Sequence, residues 1–215
     1  MENPVIILGA KGLGAVALEI FQSNDVVVYC FLDDDASLHG TEVNEVSVMG
    51  STDDEGYLKL IGKKCEAFVA SDDNKYRRSL TEMLLERRKM MPVNAIHARA
   101  YVSASASLGH GNLIAAGAVI GTGAKVGNHC VLHANSLVDY SATVGDFVQV
   151  GAGSLLNSNV TVEDGAFIGS GVTVVSGVTI GRNARVGAGS VVIENVKNNA
   201  TVFGNPAAPL GPKPK

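Results

Sequence analysis

Two patterns of apolar positions divide this chain. From Val102 onward an aliphatic residue returns at every sixth place: Val102, Leu108, Ile114, Ile120, Val126, Leu132, Val138, Val144, Val150, Leu156, Val162, Ile168, Val174, Ile180, Val186 and Val192. If about a quarter of positions were Ile, Leu or Val, an unbroken run of this length would arise by chance at roughly 10⁻¹⁰. The next residue is often glycine, as at Gly109, Gly121, Gly127, Gly145, Gly151, Gly169, Gly181 and Gly187. Such a period predicts one short strand and one tight turn per hexapeptide. Three hexapeptides would make a triangular coil of about eighteen residues, with aliphatic side chains inside and small residues at the corners. No coil closes its own interior, so coils must stack. A β-sandwich would instead show alternation and irregular turn spacing.

The first half reads differently. Val5 to Leu8 is a short apolar run of the buried-strand kind, followed by Gly9-Ala10-Lys11-Gly12-Leu13-Gly14 and a helical stretch from about Ala15 to Gln22. A second strand is predicted over Val26 to Phe31, ending in Asp33-Asp34-Asp35, and a third over Ala67 to Ala70. Ser71 or Asp72 would cap a helix running to about Lys89, with Pro92 just beyond it. The fold class expected is a small α/β domain (Rossmann-like, β-α-β) followed by a parallel β-helix of hexapeptide repeats. The domains expected are 1–95, 96–203, and an extended tail over 204–215 that leaves the solenoid.

Composition narrows the function. Of 215 residues, 46% are hydrophobic and 18% charged, with a net charge of −4, which fits a folded globular protein and removes the basic footprint of a general nucleic-acid binder. No secretory signal or membrane span is expected. Cys30, Cys65 and Cys130 are odd in number and widely spaced. They read as reduced, buried thiols of a cytoplasmic protein rather than a disulfide framework or zinc site.

The residue types that could carry chemistry form three groups. Gly9, Gly12 and Gly14 make a G-x-x-G-x-G turn between strand and helix, where backbone and helix N-terminus favour phosphate. This is not the dinucleotide fingerprint, and the bland alternative is a tight turn. Asp33 ends the second strand, where an acid could meet a ribose or base, although a solvated acidic loop would look the same. Among His39, His97, His110, His129 and His133, no three converge by spacing, so no metal is expected; His133 follows the inward Leu132 and sits near a corner as a candidate base. Asp139, Tyr140, Ser141 and Gln149 form a further polar group, with a solvated turn or a subunit interface as the plain alternative.

Five segments together carry a family resemblance: V-I-I-L-G-A-K-G-L-G (5–14), C-F-L-D-D-D (30–35), V-N-A-I-H-A-R-A (93–100), the unbroken hexapeptides, and V-F-G-N-P-A (202–207). They resemble the sialic acid O-acetyltransferase / nucleotide-amino-sugar N-acetyltransferase family (NeuD/PglD-like hexapeptide-repeat acyltransferases) over essentially the whole chain. The resemblance implies a left-handed β-helix and a homotrimer with active sites in clefts between adjacent β-helices. It implies acetyl-CoA along the cleft, held largely by backbone of the later coils near Gln149, Gly151, Ser158, Gly169 and Ser170, with Asn205 and Pro206 close by. Gly9, Lys11, Gly12, Leu13 and Gly14 would face nucleotide phosphates, and Asp33 or Asp34 the base or ribose. The sugar's amine would attack the thioester, giving an acetamido sugar and CoA, in bacterial surface-glycan biosynthesis.

One departure from the family pattern changes the chemistry. The family places a His followed by an acid in the segment matching Asp139-Tyr140-Ser141, and a second His at the position of Gln149. Here Tyr140 takes the place of the base and Ser141 that of the acid. Tyrosine, with an ordinary pKa near 10, is a poor base at neutral pH. An amine, partly neutral near pH 7–8, needs positioning more than deprotonation, whereas a hydroxyl acceptor needs a real base. The expectation is therefore an N-acetyltransferase acting on a nucleotide-linked 4-amino-4,6-dideoxy sugar, UDP-linked by preference. Asp139 and His133 are the replacement bases, with Gln149 donating to the oxyanion or the acetyl group. The alternatives are a sialic-acid-type O-acetyltransferase and an inactive β-helix that binds a nucleotide sugar.

Overall fold

The structure, a computed structural model, describes residues 3–209. The chain divides into two units between Ala98 and Arg99, three residues later than the periodicity suggests. The first unit is a five-stranded sheet with helices. Its elements are β1 (Val5–Leu8), α1 (Leu13–Gln22), β2 (Val28–Leu32), β3 (Glu42–Val43), β4 (Val46–Gly50), α2 (Glu55–Leu58), β5 (Glu66–Val69) and α3 (Asn74–Arg88). The order is β3-β4-β2-β1-β5, with β1, β2, β4 and β5 parallel and β3 antiparallel at the edge. β1 is fully buried between β2 and β5, which explains its continuous apolar run.

The predicted elements are present, and β3, β4 and α2 are additions. β4 alternates Val46 and Val48 with polar or exposed residues, a pattern too short to stand out beside the longer runs. The cap of α3 is Asp73 rather than Ser71 or Asp72: its carboxylate accepts from the N–H groups of Lys75 (2.7 Å) and Tyr76 (3.2 Å). The helix ends at Lys89, which adopts the left-handed conformation at φ 57°.

The second unit is the left-handed parallel β-helix of hexapeptide repeats. Every strand from Tyr101–Val102 to Val191–Val192 is two residues long, and each pairs with the strand eighteen residues away, as Ile120 does with Val102 and Val138. This makes three parallel sheets. Sheet I carries Val119–Ile120, Leu137–Val138 and Leu155–Leu156; sheet II carries Lys125–Val126, Thr143–Val144 and Thr161–Val162; sheet III carries Val131–Leu132, Gln149–Val150, Phe167–Ile168 and Arg185–Val186. From Ile114 to Val192 the sixth-place residues are buried, so they are the core. A second inward set lies two places earlier and includes Ala118, Cys130, Ser136, Val148 and Ser154, all nearly inaccessible. Apart from Val148, the small or polar identity of those named hid them from an Ile, Leu and Val count.

Two kinds of glycine shape the corners. Those after the inward aliphatics leave room for the next coil: a Cβ at Gly151 would lie 2.4 Å from the Ser170 nitrogen. A separate position has positive φ in every turn from 111 to 189, filled by Gly in some turns and by His129, Asn135, Ser141, Phe147, Asn159 or Asn183 in others.

The last coil is shortened. Val186 pairs with Val202 and Ile180 bridges Val196, sixteen residues apart in each case. The expected tail is corrected here. Residues Thr201–Phe203 form a strand, the chain turns through a cis Asn205–Pro206 peptide, and Ala208–Pro209 pairs back antiparallel on it. The segment to 209 therefore closes the solenoid as a hairpin; the rest of the expected tail, 210–215, lies outside the described residues.

Candidate functional site

The first cleft lies at the carboxyl ends of the parallel strands, where β1, β2 and β5 deliver their loops. It measures about 310 Å³ and is lined by Gly9, Lys11, Gly12, Asp33, Ala70, Ser71, Asp72 and Tyr76. Gly9 (φ 108°) runs so close to the β5 loop that a Cβ would meet the Ala70 carbonyl oxygen at 2.2 Å. Gly12 (φ 48°) opens α1 with no side-chain cap. Leu13 and Gly14, expected at the phosphates, are not part of the lining: the Leu13 side chain is core, and the Gly14 N–H donates to the Lys11 carbonyl at 2.8 Å. The close packing of Gly14 on the Gly9 carbonyl explains that glycine instead.

The three aspartates build the cleft's frame. Asp33 accepts the N–H groups of Ala10 (2.8 Å) and Asp35 (2.9 Å), which ties β2 to the glycine turn. Asp34 accepts from the Thr52 N–H and hydroxyl (both 2.8 Å) and from the Tyr76 hydroxyl (2.6 Å), joining β2, the loop after β4 and α3. Burial works to raise the Asp34 carboxyl, but these hydrogen bonds prevail and hold it below the usual carboxylate range. Burial and the same bond push the Tyr76 phenol up to about 12. Lys11 pairs with Asp35, and this hydrogen bond raises the ammonium and lowers the carboxylate. The acids expected to reach a ribose or base thus already hold loops in place, leaving only their remaining lone pairs for a ligand.

The second cleft belongs to the β-helix. It measures about 140 Å³ and is lined by His133, Gln149, Gly151, Ala152, Phe167, Ile168 and Ser170. The eighteen-residue coil assembles it: His133, Gly151 and Gly169 form one corner column, Ala152 and Ser170 the next, and Gln149 and Phe167 adjoin in sheet III. Gln149 is buried and His133 half-buried. The backbone N–H of His133 donates to the Val150 carbonyl at 2.9 Å, the ladder bond that sets the residue at this corner. Four residues expected at the donor site (Gln149, Gly151, Ser170 and the candidate base His133) therefore line one cleft. Ala152, Phe167 and Ile168 are additions that only the coil arithmetic could have supplied.

Asp139 and Tyr140 lie elsewhere. They follow Val138 of sheet I, one face round from the His133 corner. Ser158 stacks on Tyr140, as the 3.2 Å bond from the Asn159 N–H to the Tyr140 carbonyl shows, and donates to the Ser176 hydroxyl at 2.9 Å. Within one chain the candidate bases are on different corners. Asn205 and Pro206 are in the closing hairpin. Among the described residues, no group of three His, Cys, Asp or Glu side chains is placed to hold a metal ion, and no helix is long and apolar enough to cross a membrane.

Comparison with known proteins now bears on this geometry. Residues 4–84 match the PglD N-terminal domain family. Residues 141–176 and 159–194 match the bacterial transferase hexapeptide (six repeats), and 123–158 the hexapeptide repeat of succinyl-transferase. No curated protein sequence matches the chain. Among solved structures, one similar chain is a His-to-Ala mutant of GDP-perosamine N-acetyl transferase from Caulobacter crescentus, in complex with CoA and GDP-perosamine (TM-score 0.89, 31% identity, 99% of each chain covered). Others are the acetyltransferase domain of PglB from Neisseria gonorrhoeae in complex with acetyl coenzyme A (0.88, 28%, 98% of this chain and 100% of that one), and WeeI from Acinetobacter baumannii (0.84, 26%, 96% and 99%). Fold and repeats define a hexapeptide-repeat acyltransferase. Within that class the chain belongs to the PglD-like family of nucleotide-sugar N-acetyltransferases.

Proposed function

We propose that this enzyme transfers an acetyl group from acetyl-CoA to the amine of a nucleotide-linked 4-amino-4,6-dideoxy sugar, UDP-linked by preference. The observation that carries the reading is the cleft that places His133 beside Gln149 at the foot of a bare glycine corner, in a chain with a separate glycine-turn cleft. Relatives of the same fold are solved with CoA and GDP-perosamine, or with acetyl coenzyme A.

Mechanistically, the thioester lies against Gln149, whose amide donates to the oxygen that becomes negative as the amine attacks. The amine nitrogen forms the new C–N bond, the C–S bond breaks, and CoA leaves as thiolate. His133 takes the proton lost by the nitrogen, directly or through water, as an imidazole lining the same cleft as Gln149. Asp139 on the neighbouring corner serves the same cleft only across a boundary between copies. The surface that fits such assembly is sheet I, whose outward column opens with the apolar Tyr101, Val119, Leu137 and Leu155, Tyr101 and Leu155 exposed, before Thr173; Tyr140 is exposed at its edge. A trimer of β-helices covers that column.

Kinetics of base variants test the mechanism. His133→Ala and Asp139→Asn are each expected to lower turnover at least tenfold, at unchanged folding, while Tyr140→Phe changes it little. Unchanged rates in His133→Ala and Asp139→Asn would sink the replacement bases and leave a water or substrate-assisted path. Loss of turnover in Tyr140→Phe alone would make the phenol essential.

A further inference from the structure

We propose that the buried Arg77 guanidinium pins the wall of the nucleotide cleft that faces the glycine turn, and so is a positioning residue for nucleotide binding; this rests on the reading that the glycine-turn cleft takes the nucleotide. That wall is the loop from β5 to α3. Ala70, Ser71 and Asp72 line the cleft from it, with Gly9 and Gly12 across from them. The two sides come close at two points. A Cβ at Gly9 would meet the Ala70 carbonyl oxygen at 2.2 Å, and one at Gly12 would stand 3.2 Å from Oδ2 of Asp72. With so little clearance, a small shift of the loop changes the space open to a phosphate or ribose.

Arg77 holds the loop between those two points. Its Nη1 donates to the Ser71 carbonyl and its Nη2 to the side-chain oxygen of Asn74, the first residue of α3. One planar fork thus ties the wall to the start of the helix. The side chain is 1% exposed and is the largest fully buried one among the described residues. Its backbone is equally fixed: the Arg77 N–H donates to the Asp73 carbonyl at 2.8 Å, and the Arg77 carbonyl accepts the Thr81 hydroxyl at 2.9 Å.

Stability alone is a poor reason for this residue. Taking a cation out of water is costly even when it is paired. Arg77 also lies one turn into α3, near the positive end of the helix dipole, and the first turn carries no acid beyond the cap. The cap itself is complete without it, because Asp73 accepts the N–H groups of Lys75 and Tyr76. The other large side chains α3 buries, Leu80 and Leu84, are apolar, so packing would be served by a leucine or methionine. A local rule broken beside a cleft marks a site residue. What the guanidinium adds, and an apolar chain cannot, is a donor at a fixed place for the Ser71 carbonyl.

The test is calorimetric binding of UDP, GDP and CoA to the full chain, with thermal melts to choose a temperature at which each variant is folded. Arg77→Met removes fork and charge, whereas Arg77→Lys keeps the charge without the fork. Each should weaken the nucleoside diphosphate that wild type binds by about tenfold or more and leave CoA within about twofold. Thr81→Val is the control for stability alone. It loses a buried hydrogen bond one turn further along the helix, so it should lower Tm yet keep nucleotide affinity within about twofold. Should Arg77→Met fail to fold, Arg77→Lys and Asn74→Ala decide the matter; the second frees one prong and should weaken the nucleotide about threefold. Wild-type nucleotide affinity in Arg77→Lys or Asn74→Ala, or a loss in Thr81→Val equal to that in the Arg77 variants, overturns the pin while the nucleotide reading stands. A wild-type chain that binds neither UDP nor GDP removes the nucleotide reading and the pin together.

Discussion

Replacing Gly151 by Ala separates the two reasons for glycine in this solenoid. At Gly151 the added methyl would come 2.4 Å from the Ser170 nitrogen and 2.5 Å from the Gly169 carbonyl carbon. Both are backbone atoms of the next coil, so relief requires the coils to part rather than a side chain to swing. Overpacking of this kind costs about 1–3 kcal/mol, and here the upper part of that range is expected. Gly153, two residues on, has nothing within 4 Å of its would-be Cβ but sits at φ 66°. Ala there meets only the left-handed backbone penalty, about 1 kcal/mol. Asn at the same place should be nearly neutral, because Asn135, Asn159 and Asn183 hold the matching conformation in other turns. At about 2–4 °C per kcal/mol for a chain of this size, Gly151→Ala should lower Tm by roughly 4–12 °C, Gly153→Ala by roughly 2–4 °C, and Gly153→Asn by less than about 2 °C. Circular-dichroism melts read all three. Because Gly151 also lines the thioester cleft, the first variant should bind CoA more weakly at temperatures where it is folded. Equal melts for Gly151→Ala and Gly153→Ala, or a Gly153→Asn as damaged as Gly151→Ala, would refute the distinction between close approach and backbone conformation.

Other outcomes follow from the same geometry. If the active site is shared between copies, mixing inactive His133→Ala with inactive Asp139→Asn subunits should restore measurable turnover, because some mixed boundaries carry both native residues; no recovery after confirmed exchange argues for a site within one chain. Tyr76→Phe removes a donor from Asp34 at an exposed site, so it should cost at most about 1 kcal/mol at pH 7 and raise KM for the nucleotide sugar. The Asp34 carboxyl is lowered in the fold, so its contribution is complete above the ordinary carboxylate value of 3.8 and is lost as pH falls through the folded value. The stability gap between wild type and Tyr76→Phe should therefore narrow in acid, as urea melts at pH 7 and pH 3 would show. Cys30, Cys65 and Cys130 are buried, so the folded protein should react with none of its thiols toward a disulfide reagent and with all of them in denaturant; rapid reaction when folded contradicts the packing.

Much of the fold was legible because one register of the solenoid is strict. Ile, Leu or Val every sixth place leaves little choice of architecture, and the eighteen-residue coil follows from it. The second inward register was not legible, because Cys130, Ser136 and Ser154 carry no hydrophobic signal there; Ser154 is accommodated by donating to the Gly169 carbonyl at 2.8 Å. Nor were the left-handed positions, since residues as different as His129, Ser141 and Phe147 adopt the same φ, imposed by the coil rather than by local preference. In the first unit the apolar runs marked β1, β2 and β5, while β4 was lost between polar neighbours. The candidate site was half legible. His133, Gln149, Gly151 and Ser170 were chosen and share a cleft, but Asp139 and Tyr140, close in sequence, turn onto another corner because each hexapeptide rotates the chain by one face. The aspartates after β2 were chosen for a ligand. Their carboxylates also tie β2 to the glycine turn, the Thr52 loop and α3, a use that appears only when three separate loops are brought together.

The central claim is that an acyltransferase of this family acts on an amine without the usual histidine. CoA release from acetyl-CoA, followed with a thiol reagent across UDP- and GDP-linked amino sugars and free or CMP-linked sialic acids, tests it most directly. The account predicts fast release with one nucleotide-linked amino sugar, UDP-linked before GDP-linked, and none with the sialic acids. Release with a sialic acid alone would move the chemistry to a hydroxyl and demand a strong base that Tyr140 does not supply. No release with any acceptor, despite binding of the nucleotide sugar, would contradict catalysis and leave a β-helix that only binds.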